Sequence, residues 1–319
     1  MYPLFSIFAF LGFLLVLVPL PAWNSGTCFY MMWAALACLN QFVNSVVWAD
    51  DMVIRAPGWC DISIRITMAA SVGIPAASLC ITRRLYHIAS VKTVPISKAD
   101  KRRAALVDAL ICVFFPLVYL AFQYIVQGHR FNIYEQLGCY PALYNSIPMY
   151  FLSMMWPPLL GLISAIYGAF ALRAFLARRA AFTQFLSPAS GSGAAPGLTA
   201  TRYLRLIALS LTSVLLTLPL GIFAIAVNAT ATPVGPWVSL ADTHFDFARF
   251  EQVPAVFWRS NKLVSIGLEF TRWAAPASAL VFVAFFGAAA EARKNYSAAF
   301  RAVASLFWRV ASKFGLQRP

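Results

Sequence analysis

Along this chain, long stretches free of charge alternate with short clusters that hold most of it. Asp50 is the first charged residue, and the 49 positions before it contain no Asp, Glu, Lys, Arg or His. One bilayer crossing uses about 20 residues, so this stretch has room for two. The break falls at Pro19-Leu20-Pro21-Ala22-Trp23-Asn24-Ser25-Gly26, a turn-forming run with a Trp suited to the membrane interface. Uncharged stretches at 66–82, 109–128, 136–172, 206–241 and 273–290 each hold one further helix once their flanks are included. The pattern predicts an all-α membrane protein, a seven-helix bundle with spans near 3–20, 27–49, 60–82, 105–126, 147–172, 204–227 and 263–288. Met1 to Phe10 has no positive n-region and no small-residue cleavage site follows, so the first segment is expected to stay as a span.

Composition agrees. Of 319 residues, 61% are hydrophobic and 11% charged, against roughly 25% charged in a soluble domain. The net charge of +14 reads as a topology signal before it reads as a nucleic-acid footprint. The segments 83–103, 173–205 and the tail after 290 carry 18 of the 25 basic residues. These loops are therefore expected in the cytoplasm, with the N-terminus outside and the C-terminus inside. No internal repeat is found, and Gly/Ser/Pro enrichment is confined to Ser187–Gly197 in the third cytoplasmic loop. In the tail, 291–319, Tyr296, Phe300, Val303, Phe307, Val310 and Phe314 recur at helical spacing among basic residues, which predicts an amphipathic helix on the inner leaflet.

Six cysteines stand at 28, 38, 60, 80, 112 and 139. On this topology only Cys60 and Cys139 face an oxidising exterior, so a disulfide between them is expected, with two free thiols as the alternative and the other four as packing residues. Asn228-Ala229-Thr230 matches a glycosylation acceptor on an exterior loop, while Asn295-Tyr296-Ser297 lies inside. Charge at the span edges is expensive in lipid and calls for partners. Asp61 and Arg65, and Glu269 and Arg272, have the spacing to pair along their own helices, as ligand contacts or as structural clamps. Asn40, Gln41 and Asn44 read as hydrogen-bonding groups between helices. Spans three to seven each contain proline, and Pro219 followed by Gly221 is the best hinge candidate.

Catalytic apparatus is not visible. Span seven has no Lys for a retinal Schiff base, no aspartate dyad or His-Glu-x-x-His motif occurs, and His87, His129 and His244 are scattered. No cofactor or metal is expected. Nor do the repeats and midplane carboxylates of a transporter appear. A receptor needs an outer pocket, a bistable bundle and a basic inner surface, and all three can be sketched.

The strings GTCFYMMWAALACLNQFVNSVVWADD (26–51), APGWCDISIRI (56–66), IPAASLCITRRLYHIASV (74–91), KADKRRAALVDALI (98–111), YIVQGHRFNIYEQLGCYPALYN (124–145), ADTHFDFARFEQVPAVFWR (241–259) and EARKNY (291–296) resemble the a-factor-type fungal pheromone receptors, especially the mating-type receptors of mushroom-forming fungi. These are class D G-protein-coupled receptors. The resemblance implies a multi-pass plasma-membrane receptor for a small secreted, farnesylated and carboxymethylated peptide, acting on a heterotrimeric G protein. Membrane lipids and a second copy of the chain are further partners it suggests. Neither the Asp/Glu-Arg-Tyr nor the Asn-Pro-x-x-Tyr switch is present; Arg83-Arg84-Leu85-Tyr86 stands at the end of helix three. On this reading Asp61, Arg65, His129, Arg130, Glu135, Glu269 and Arg272 build the ligand mouth. The segment 241–259 forms either a lid over that mouth or a surface element on the outer leaflet. Arg83, Arg84, Lys101, Arg102, Arg103, Arg173, Arg178 and Arg179 face the G protein or anchor lipid headgroups. A homologue signalling without a mating pheromone, or remotely a transporter bundle, are the alternatives.

Overall fold

The structure is a computed structural model that describes residues 3–17, 25–90, 98–177, 200–231, 233–286 and 301. Apart from Arg301, the expected tail helix lies outside these residues, as do the Ser187–Gly197 run and Asn295. Among those described, seven long helical segments follow one another: α1 Leu4–Leu17, α2 Ser25–Val47, α3 Pro57–Ser90, α4 Lys98–Ile125, α5 Trp156–Ala177, α6 Ala200–Ala231 and α7 Lys262–Phe286. α3, α4, α5 and residues 203–230 of α6 are long and apolar enough to cross a membrane. The described part of α1 has 14 residues. α2 and α7 are continuous helices that carry polar residues within them, Asn40, Gln41 and Asn44 in α2 and Glu269 and Arg272 in α7.

α3 is the hub, packed against α2, α4, α5 and α6, while α1, α2, α6 and α7 close the other side of the bundle. Of its most apolar stretch 67% is buried, against 22% for α4, which stands at the edge. The central core gathers Tyr30, Met31 and Trp33 of α2, Ile81 and Leu85 of α3, Tyr203 and Leu206 of α6 and Phe282 of α7. Asn40 and Asn44 do tie helices together. Asn40 Nδ2 donates to Ser63 O at 3.1 Å and Thr67 Oγ1 at 2.9 Å, and Asn44 Nδ2 donates to Ser63 Oγ at 2.9 Å.

Proline explains the irregular helices. A helix-interior proline cannot donate to the carbonyl four residues earlier. α4 passes through a π-helical stretch, Leu110–Phe114, just before Pro116, and α5 is entered through Ile147–Met149 and a second π-helical stretch, Tyr150–Met154, just before Pro157 and Pro158. The carbonyls at i−4 of Pro116 and Pro157 are those of Cys112 and Ser153. Trp33 Nε1 donates to Cys112 O at 2.8 Å, and the Tyr119 hydroxyl donates to Ser153 O at 3.3 Å. Buried side chains on neighbouring helices thus replace the missing ladder bonds. Gly221, two residues past Pro219 in α6, serves packing instead. A Cβ there would lie 2.9 Å from the Pro158 ring, so its lack of a side chain lets α6 approach α5.

One end of the bundle carries a cap that the charge pattern does not foreshadow. β1 Phe131–Tyr134 and β2 Gly138–Tyr140 form an antiparallel hairpin, and β3 Phe250–Val253 joins β1 in parallel, giving the order β2-β1-β3. Gln136 and Gly138 turn the hairpin with φ of 72° and 83°. At Gly138 a Cβ would lie 2.7 Å from Asn44 Cβ, so only glycine allows the hairpin tip to sit on α2. Cys60 and Cys139 are bonded to each other, joining the first turn of α3 to β2 across a separation of 79 residues. A loop that long makes a disulfide worth about 4 kcal/mol in the chain-entropy picture. Cys38, Cys80 and Cys112 are buried thiols and Cys28 is partly buried. The Asn228 sequon, expected on a loop, lies within α6, with the Asn228 amide donating to Ala224 O at 2.9 Å.

Replacing Trp33 by Phe, which keeps an aromatic ring but removes the N–H, should leave Cys112 O without its bond and cost about 1–3 kcal/mol. Tyr119→Phe should do the same at Ser153 O. Thermal unfolding of the solubilised protein checks both; an unchanged midpoint for both variants would refute the substitution of side chains for ladder bonds.

Candidate functional site

At the cap end, charge organises around the disulfide. Asp61 follows Cys60, and its carboxylate receives a two-pronged contact from Arg130, Nε to Oδ1 at 2.9 Å and Nη2 to Oδ2 at 2.6 Å. This corrects the expected pairing of Asp61 with Arg65. The planar fork of Arg130 engages both carboxylate oxygens at once, which an i,i+4 neighbour on the same helix does not match here. Hydrogen bonding to Asp61 also pushes the Arg130 pKa above its ordinary value. Both side chains are over one-third exposed, so the pair orients the hairpin more than it stabilises it. Arg65, one turn deeper on α3, is close enough to Asp61 and Tyr124 to interact electrostatically with both.

Beside this pair opens a cleft of about 530 Å³, within the range of small-ligand sites. Its walls include His129, Tyr144, Asn145, Asp242, Phe245 and Arg249. His129 Nε2 lies 2.5 Å from Asn132 Oδ1, and its Nδ1 lies 3.5 Å from Arg249 Nη2. The tautomer protonated at Nε2 satisfies both, donating to the amide oxygen and accepting from the guanidinium. Asn145 staples the far wall, its amide donating to Asn228 O at 3.0 Å and Pro233 O at 3.3 Å while Tyr150 donates to its oxygen at 2.8 Å. A cation, an acid, an imidazole and aromatic edges thus line one opening.

The other expected ligand residues are placed differently. Glu135, at the hairpin turn, accepts a hydrogen bond from Ala255 N at 2.7 Å, at the start of the short helix Ala255–Ser260, and its carbonyl accepts from Trp258 Nε1 at 3.2 Å. It therefore positions the segment entering α7. Tyr140, the last residue of β2, has its pKa pushed up to about 12 by burial. Deeper in α7, Arg272 is 4% exposed, sits 3.7 Å from Glu269 Oε1 and stacks over the Phe5 ring at 3.9 Å. Arg272 Nε and Nη1 and Glu269 Oε2 have no hydrogen-bond partner among the described residues. Asp61, His129 and Arg130 therefore stand together in the cap, whereas Glu269 and Arg272 form a second, buried pair against α1. A groove of about 350 Å³ between α1 and α2 is lined by Pro3, Ser6, Ile7, Phe10, Leu11, Phe42 and Val46.

The far end holds a polar node that sequence reasoning missed. Asp108 of α4 is 2% exposed and bonded twice: Arg83 Nη2 donates to Oδ1 at 3.0 Å and Ser25 Oγ donates to Oδ2 at 2.5 Å. Arg84 Nη1 reaches Ser25 Oγ at 3.5 Å. α2, α3 and α4 are clamped through this one carboxylate. Its signal was available, an acid beside a strongly basic loop at the start of a span. Arg83 and Arg84 are thus engaged within the protein, while Arg102, Arg103 and Arg173 are exposed. Lys101 belongs to α4; Arg178 and Arg179 lie outside the described residues.

Comparison with known proteins matches the family described as "Pheromone A receptor" over residues 4–307. The chain is 58% identical over 302 residues to the Pheromone B alpha 3 receptor of Schizophyllum commune, covering 93% of this chain and 47% of that protein. It is 60% identical over 297 residues to the Pheromone B alpha 1 receptor of Schizophyllum commune, covering 92% and 46%. With Pheromone receptor 1 of Mycosarcoma maydis it shares 33% identity over 308 residues, 95% of this chain and 84% of the relative. The chain spans about half the length of the Schizophyllum relatives. It belongs to the pheromone A receptor family, a family of membrane proteins.

Arg83→Ala leaves the buried Asp108 without its cation and should cost about 3 kcal/mol, at the lower end for a broken buried pair because Arg83 is 24% exposed. Asp108→Asn removes the charge along with the need for one and should cost less. Midpoints from thermal unfolding of the two variants test this; equal losses would remove the charge from the explanation.

Proposed function

We propose that this member of the pheromone A receptor family is a seven-span plasma-membrane receptor, N-terminus outside, for a small secreted lipopeptide pheromone from a compatible mating partner, and that it activates a heterotrimeric G protein. The observation that carries this reading is similarity to named pheromone receptors along nearly the whole chain. The cap end is then the outer face. The peptide part of the ligand enters the cleft beside Asp61, Arg65, His129 and Arg130, with Glu135 holding the segment that enters α7, and Glu269 and Arg272 are the deeper polar contacts. The ligand is farnesylated and carboxymethylated, and the apolar groove between α1 and α2 is a place for the prenyl chain, whose burial is worth about 0.8 kcal/mol per CH₂.

Activation follows as a population shift. Agonist binds the active state better, and helices α5 and α6 separate from α3 at the far end, with Pro219 as the hinge. Arg102, Arg103, Arg173 and their basic neighbours Lys101, Arg178 and Arg179 meet the G protein. Arg83 and Arg84 join them once released from Asp108 and Ser25.

The test is a pheromone-dependent reporter in a cell without receptors of its own, with synthetic farnesylated, carboxymethylated peptides as agonists. Wild type should respond, Arg272→Ala should respond more weakly at equal surface expression, and excess guanine nucleotide should lower agonist affinity. An agonist affinity indifferent to nucleotide would refute the coupling, and a normal Arg272→Ala dose-response would remove Arg272 from the site.

A further inference from the structure

The segment joining α6 to α7 exposes more apolar surface than a water-facing loop should. Among its large apolar side chains Val238 is 69% exposed, Phe245 83%, Val256 81% and Phe257 72%, and Trp237 and Leu240 are also exposed. The segment is nevertheless well fixed. Gly235 bridges to Ser146 at the entry to α5, and the Tyr144 hydroxyl donates to Pro236 O at 3.2 Å. His244 Nε2 then donates to Tyr124 O at 2.9 Å at the end of α4. β3 follows in the sheet, and the short helix Ala255–Ser260 leads into α7. The segment runs along the rim of the bundle over α5 and α4, then back across the cap to α7.

Two features decide what covers those side chains. Where the rim segment meets the helices, apolar side chains are exposed as well: Tyr124 44%, in ring contact with His244 and Phe247, Ile147 64% and Phe151 61%, just after Ser146, which bridges to Gly235, and Leu263 48% and Phe270 59%, after Phe257 in the chain. The exposed residues thus continue the membrane-facing surface of a membrane protein instead of starting a separate patch. Between the two apolar tips, β3 presents Glu251 and its neighbour Arg249, each about half exposed and 3.4 Å apart, a charged stretch that belongs in water. A lid would turn its aromatic residues onto the cleft, yet Phe245, on the cleft's edge, remains almost fully exposed.

We propose that the α6–α7 segment is a membrane-interfacial collar, whose apolar tips around Val238 and Phe245 and around Val256 and Phe257 embed at the headgroup–acyl boundary of the adjoining leaflet while β3 stays in water. Its partner is the lipid surface itself. The collar needs only that the chain spans a membrane and is independent of which ligand the cleft takes. Because Phe245 also borders the cleft, one edge of that opening lies at lipid level, so an amphipathic ligand already partitioned into the leaflet can enter sideways.

The experiment uses the full chain with Cys28→Ala and one added cysteine, Phe245→Cys, Phe257→Cys or Glu251→Cys, labelled with an environment-sensitive fluorophore and reconstituted in phosphatidylcholine vesicles. Cys38, Cys80 and Cys112 are buried and should not label. At 245 and 257 the expected result is blue-shifted emission, quenching by doxyl-labelled lipid several-fold above that at 251, and protection from aqueous iodide; position 251 should show the reverse. Iodide quenching at 245 and 257 equal to that at 251 would place the segment in water, and protection from both quenchers would make it a lid. Either result overturns the collar.

Discussion

Inside hydrocarbon a polypeptide has no water with which to complete its backbone hydrogen bonds, and this one constraint explains most of the fold. Helices meet it along most of their length. Where Pro116 and Pro157 open the ladder, the protein does not leave the freed carbonyls bare: Trp33 of α2 and Tyr119 of α4 close them from neighbouring helices. Each such bond is also a tertiary contact, so the prolines turn local breaks into interhelical ties. The Tyr203 hydroxyl, donating to Leu85 O at 3.2 Å and Ala171 O at 3.1 Å, joins α6 to α3 and α5 in the same manner.

Charge follows the same logic at the two ends. Asp61 and Arg130 lie where water reaches them, whereas Asp108 is buried and satisfied by Arg83 and Ser25. α3 connects the two places. Its first turn carries Cys60 and Asp61, its last turns carry Arg83 and Arg84, and the helix is unbroken for 34 residues. A rigid element of that length, packed on four neighbours, gives the cap and the far end a common mechanical reference.

Much of this was legible in the chain. Gaps between charges locate the helices well, because the price of an ion in lipid is steep enough to exclude it from nearly every span. The disulfide followed from topology. The sheet did not, although Phe131 and Ile133 alternate with Asn132 and Tyr134 in the burial pattern of a strand; four residues are too few for periodicity to speak alone, and β3 reaches β1 from about 120 positions away. Local spacing also misassigned Asp61, since Arg65 lies one turn along its own helix and nothing local announces that Arg130 will arrive from the hairpin. Glu135 illustrates a different limit: an acid in a loop reads as a ligand contact until the backbone N–H of Ala255 is seen to occupy it.

The parallel pairing of β1 with β3 carries a consequence for how the molecule is made. β1 and β2 are near neighbours in sequence, and Cys139 follows Cys60 by 79 positions, but the partner strand does not exist until residue 253 has been synthesised. The cap therefore completes late, its hairpin left with one unpaired edge while two further helices are made. During that interval the edge is open to wrong strands, and the hairpin is the fragment a folding catalyst would have to shield.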